Sequence, residues 1–148
     1  MKYTIALLLF TLISCSKSEV AADSSGPTQT NNMTDGGAVN TTGKKLLFEG
    51  SFTNGAHPTS GKAGIYQDDM GEITLVFDSF KTDAGPDLRI YMAEDKSVSN
   101  FIEISNKVEN GNKSYVLPKT WDSAKQRQVL IWCKQFSVLF GSADLKAK

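Results

Sequence analysis

Between Leu46 and Leu145, apolar side chains fall on every second residue in short runs, and no stretch sustains a helical repeat. Phe48, Gly50 and Phe52 alternate with Glu49, Ser51 and Thr53; Ile73, Leu75 and Phe77 alternate with Glu72, Thr74 and Asp78. The same alternation runs through Leu88, Ile90 and Met92, through Ile102 and Ile104, and through Val129, Ile131 and Cys133 into Phe136, Val138 and Phe140. Period-two runs are half-buried β-strands, because successive side chains of a strand point to opposite faces. Turn signals punctuate them at Asn54-Gly55, Ser60-Gly61, Met70-Gly71, Gly85-Pro86, Asn110-Gly111 and Gly141. The pattern predicts an all-β fold, an antiparallel β-sandwich or barrel-like domain of about eight short strands. Helix is confined to short pieces, near 95–101 or 122–126.

Ahead of this domain the chain changes character twice. Lys2 precedes an apolar stretch from Ile5 to Ile13, interrupted only by Thr11. That is short of the ~20 residues a spanning helix needs and suits a secretory signal. The run closes on Leu12-Ile13-Ser14-Cys15, which resembles a bacterial lipobox. Residues 1–14 are thus expected to be a lipoprotein signal peptide, with Cys15 the lipidated residue. Acylation by more than one chain anchors a protein stably, so the membrane is an expected partner and the cell envelope the expected location. Ser16, where an aspartate would argue for inner-membrane retention, favours the outer membrane. Residues 15–44 are rich in Ser, Thr, Asn, Asp and Gly with no aromatic, a composition expected of a flexible linker. The β domain then spans 45–148. Loss of residues 1–14 removes Lys2 and no acid, leaving 15 basic against 16 acidic side chains. That balance gives no basic footprint for nucleic acid.

Several segments of the β region resemble one family in order. Gly50-Ser51-Phe52 with His57-Pro58-Thr59-Ser60-Gly61 is similar to the opening of a DM13 domain, and Gly85-Pro86-Asp87-Leu88-Arg89-Ile90-Tyr91-Met92 to its centre. Tyr115-Val116-Leu117-Pro118 and the stretch from Val129 to Ala143, with Trp132-Cys133, resemble its later segments. The resemblance implies an electron-transfer β-domain whose characteristic cysteine corresponds to Cys133, acting as a free thiol or holding a prosthetic group such as haem. It also implies that the electron partner is a separate envelope protein.

With Cys15 lipidated, Cys133 is the one free thiol of the mature chain, and an unpaired cysteine invites a redox reading. Its parity with Val129 and Ile131 turns the sulfur towards the core, however, and a buried thiol is an inert packing residue. His57 is the candidate partner that would favour the thiolate by pairing with it as imidazolium. The bland alternative is a loop histidine bonded to backbone. Asp87 is read as a turn cap or an acid–base group, and Trp132 and Tyr91 as sheet residues or a docking surface beside the thiol. One histidine is too few for a His₂Cys copper site, and one of each soft ligand is too few for structural zinc; no metal is expected. Noncovalent haem would take Cys133, or His57 with Met70 or Met92, as axial ligands. It would claim much of so small a core, so no cofactor is expected. No nucleophile elbow or phosphate-cradling loop is present, and a stand-alone enzyme is not expected.

Two readings of function follow. One is a membrane-tethered redox module centred on Cys133. The other is a non-redox β-sandwich that binds or adheres to a protein or glycan, with Cys133 a core residue.

Overall fold

A computed structural model describes residues 37–148. The expected signal peptide at 1–14, the expected lipidation site Cys15 and the expected linker up to residue 36 lie outside the described residues. Nine strands form: β1 (Lys45–Asn54), β2 (Thr59–Gln67), β3 (Ile73–Thr82), β4 (Leu88–Ala93), β5 (Ile102–Ser105), β6 (Gly111–Val116), β7 (Gln128–Cys133), β8 (Val138–Asp144) and β9 (Lys146–Ala147). They make one antiparallel sheet in the order β5-β4-β7-β8-β1-β2-β3-β6, with β9 beside β1, that curls into a nearly closed barrel. The all-β expectation holds. Neither short helix forms among the described residues; 95–101 and 122–126 are turns, the latter closed by Gln126 N–H donating to the Asp122 carbonyl at 2.8 Å.

Alternation fills the barrel. Phe52, Ile65, Leu75, Phe77, Ile90, Met92, Val129, Ile131 and Cys133 all point inward into one buried cluster. Each fully buried large apolar side chain contributes about 1.5–3 kcal/mol of transfer free energy. At the centre Phe52, Phe77 and Phe80 pack ring to ring at 4.8–5.0 Å, within the range of favourable aromatic pairs. Phe80 breaks the parity of β3. A bulge between Phe77 and Phe80 puts Ser79 at φ 51°, and the extra residue turns the next side chain inward. Asn112 Oδ1 accepts from the Ser79 N–H at 2.7 Å and holds the bulge.

Three strands escaped the alternation, one of them the two-residue β9. In β2 only Ala63 and Ile65 reach the core, and Gly61 sits in a bulge at φ +103°. Ser60-Gly61 therefore bends a strand and does not end one. In β6 only Tyr115 is a large apolar residue packed against the core. Gly141 is likewise inside β8, paired with Ile131 and with Asn54, whereas Phe136 lies in the 134–137 turn before β8 and is 63% exposed.

Because every paired neighbour is antiparallel, odd-numbered strands from β1 to β7 run one way and even-numbered ones from β2 to β8 the other. Four connections, 55–58, 83–87, 106–110 and 134–137, consequently gather at one end of the barrel. The 68–72, 94–101 and 117–127 connections lie at the other. Residues 37–44, expected as linker, lie on the barrel wall. The Gly37 carbonyl accepts from Asn112 Nδ2 at 3.2 Å, and Lys44 Nζ donates to Thr74 Oγ1 at 3.5 Å.

Candidate functional site

The four-loop end brings together most of the residues singled out from sequence. Cys133 is the last residue of β7, in register with Leu88 of β4 and Val138 of β8. Its side chain points inward with Val129 and Ile131, as parity requires, and is fully buried in the hydrocarbon cluster. His57, in the 55–58 turn, points its Nδ1 at Asp83 Oδ2, 3.0 Å away. Its ring stacks on Phe140 at 3.8 Å between centroids and 19° between planes. The imidazole thus pairs with a carboxylate from the 83–87 loop. It stands on the ring of a core residue and is not hydrogen-bonded to the thiol.

Asp87 accepts from Arg89 Nε at 2.6 Å, and Glu103 accepts from the same guanidinium at 2.8 Å. Both carboxylates raise the Arg89 pKa, the Asp87 hydrogen bond foremost. Asp87 is thereby tied into an ion-pair chain that links the loop to β5, and its own carbonyl accepts from the Lys134 N–H at 2.9 Å. Trp132 and Tyr91 lie on the outer face of β7 and β4, away from Cys133. Tyr91 packs with Ala93 and Leu130, against Val98, Trp132 and Leu139, and under Phe101 at 4.5 Å. Burial raises the Tyr91 pKa. These two aromatics form a satellite cluster beneath the 94–101 loop and do not line the sulfur.

Sequence reasoning passed over Asp83, Phe140 and Thr59. Thr59 is 4% exposed. Its hydroxyl lies within hydrogen-bond distance of the His57 carbonyl (3.3 Å), Thr82 Oγ1 (3.2 Å) and the Phe140 carbonyl (3.2 Å). It ties β2 to β3 and β8 under the turn that carries His57. Nothing local marks these residues, since each acts across the barrel. The Asp83-Ala84-Gly85-Pro86 turn composition was the one available signal.

Two open grooves flank this knot and share Thr82, Asp83 and Asn110. One, about 330 Å³, runs between the 83–87 and 106–110 loops. The other, about 410 Å³, reaches Asn54, Pro58 and Ser60. Neither is lined by Cys133. Asn110 holds their common wall, accepting from the Thr82 N–H at 2.8 Å and donating to the Thr82 carbonyl at 3.1 Å.

Of the side chains considered as haem ligands, Cys133 and Met92 are fully buried in the core cluster, and Met70, 92% exposed, is in the 68–72 connection at the opposite end from His57. Among the described residues no three His, Cys, Asp or Glu side chains gather around a metal-sized site.

A family model described as "Electron transfer DM13" matches residues 51–145. No curated protein and no solved structure is matched by the chain.

Proposed function

This chain belongs to the DM13 electron-transfer family, and on that premise we propose that it is a lipid-tethered redox module of the bacterial envelope, on the outer membrane, with Cys133 as a gated thiol. The supporting observation is where the sulfur sits. It is sealed, yet it occupies the final residue of β7, where the 83–87 loop and the exposed 134–137 turn meet through the Lys134–Asp87 backbone bond. Sealed from solvent, the sulfur of the closed domain is out of reach of oxidants in solution. Opening of the turn admits water, and the deprotonated sulfur then attacks a disulfide of a separate envelope protein. A mixed disulfide forms and one partner sulfur leaves as thiolate.

Complete burial of Cys133 favours a second reading, a non-redox module that binds a protein or glycan through the loop-end grooves. Alkylation kinetics of the native protein separate the two. Gating predicts labelling far faster than global unfolding, because local openings are less costly than the whole transition. Labelling that occurs only at the global unfolding rate, and that scales with stability across variants, makes Cys133 a packing residue and leaves the binding reading.

A further inference from the structure

The geometry points to a latch over the barrel end: we infer that the 55–58 turn, pinned by His57, clamps the start of β8 and must release before the 134–137 turn opens. This inference rests on the gated-thiol reading and names what holds the gate shut. The clamp is built from backbone first. The Gly55 and His57 N–H groups donate to the Phe140 carbonyl at 2.8 and 3.3 Å, and the Ala56 N–H donates to the Leu139 carbonyl at 2.8 Å. The Thr59 hydroxyl reaches the same Phe140 carbonyl at 3.2 Å. Gly55 lies so close to β8 that a methyl group on it would stand 2.3 Å from the Leu139 carbonyl oxygen. The residues that follow the 134–137 turn are therefore held down by a turn from between β1 and β2.

Side chains complete the clamp. Phe140, on which the His57 ring lies flat, packs with Leu88 against Gly85. A methyl group on Gly85 would meet Leu88 Cδ2 at 2.7 Å and Phe140 Cζ at 3.0 Å. Leu88 is in register with Cys133, and Phe140 shares its buried cluster. These two side chains thus stand between the cluster that holds the sulfur and the 83–87 loop. His57 joins both covering segments, because its ring bears on Phe140 while its Nδ1 pairs with Asp83 of that loop. The loop in turn is tied to the 134–137 turn by the Asp87 carbonyl and the Lys134 N–H. Phe140 and Leu88 are buried, whereas the His57 and Asp83 side chains are 38% and 53% exposed. An exposed ion pair is weak, and contacts at the surface open at lower cost than the core. The clamp can let go while the barrel stays folded.

The test follows two rates on the folded full chain: alkylation of Cys133 by iodoacetamide, read by peptide mass, and hydrogen exchange of the Gly55, Ala56 and His57 amides. His57→Ala removes both the stack and the pair, and Asp83→Asn weakens the pair alone. We expect His57→Ala to speed both processes by about tenfold, and Asp83→Asn by about two- to fivefold. Met70→Ala, at the opposite end, should leave both rates at their wild-type values. Low urea should barely change the labelling rate, because a local opening exposes little surface. Circular dichroism checks that each variant is folded, and Asp83→Asn carries the test should His57→Ala fail to fold. Rapid labelling of the wild type that neither substitution alters overturns the latch and leaves the gated thiol standing. Labelling confined to the global unfolding rate takes down the gated thiol first, and the latch with it.

Discussion

Gly141 is where β8 passes nearest to Thr59, and replacing it should loosen the whole loop end. A methyl group there would lie 2.3 Å from Thr59 Oγ1, 2.4 Å from its Cβ and 2.7 Å from its Cγ2, all far inside ordinary contact. Thr59 cannot swing aside freely, since it is buried and its hydroxyl touches three oxygens, on the 55–58 turn, β3 and β8. Gly141 itself has ordinary backbone geometry, so alanine is excluded by space and not by φ. Overpacking of this kind costs about 1–3 kcal/mol, and a displaced buried hydroxyl adds about 1 kcal/mol. We expect Gly141→Ala to lose about 2–4 kcal/mol. With an m-value of about 1.3 kcal/mol/M, that is a fall of about 1.5–3 M in the urea midpoint. Thr59→Gly removes the clashing atoms, so the further cost of Gly141→Ala in that background should drop below about 1 kcal/mol. An unchanged midpoint, or the same cost with and without Thr59, would falsify the contact as the reason for glycine.

Four further outcomes follow from the geometry. Cys133→Ser places a hydroxyl in the hydrocarbon cluster and should cost about 1–3 kcal/mol in thermal denaturation, more than Cys133→Ala; equal stability would mean that the site is wet. Burial first, and Glu109 second, push the Tyr115 pKa up to about 12 from 10.0. Because the folded form keeps this phenol neutral, its contribution is full below about pH 10 and is lost between about pH 10 and 12. Tyr115→Phe should flatten melting temperature against pH in that window, and an undiminished slope refutes the assignment. Asp95 is held at about 2 by the Ser97 side-chain hydrogen bond, aided by Ser99. Its contribution is full above the ordinary carboxylate range and disappears as pH falls towards 2; Asp95→Asn should abolish that acid-side loss in hydrogen exchange of the 94–101 loop. Asp83→Asn removes a pair whose side chains are 38% and 53% exposed. It should change the unfolding free energy by less than about 1 kcal/mol, and a larger loss in urea titration would show that the pair anchors the loops.

Much of the barrel is legible locally. Ile73, Leu75 and Phe77, or Val129, Ile131 and Cys133, declare their inward face by period alone, and parity correctly turned the sulfur inward. Where inward positions are small, as at Ala63 in β2, or few, as around Tyr115 in β6, the alternation fades and the strand goes unread. Gly61 and Gly141 look like turn residues because glycine breaks strands in general. One supports a bulge and the other admits Thr59, and both reasons involve a neighbouring strand. Phe136 continues a period-two run on paper, but the chain reverses before reaching it.

The alternation of apolar residues determined an all-β, antiparallel domain with Cys133 in its interior, because side-chain direction along a strand depends only on neighbouring residues. Strand order is different: it depends on which distant segments bury each other's faces. Only the closed sheet decided that His57 would meet Asp83 and Phe140 while the thiol stayed sealed. Only the sheet, too, gathered four separate loops at one end of the barrel.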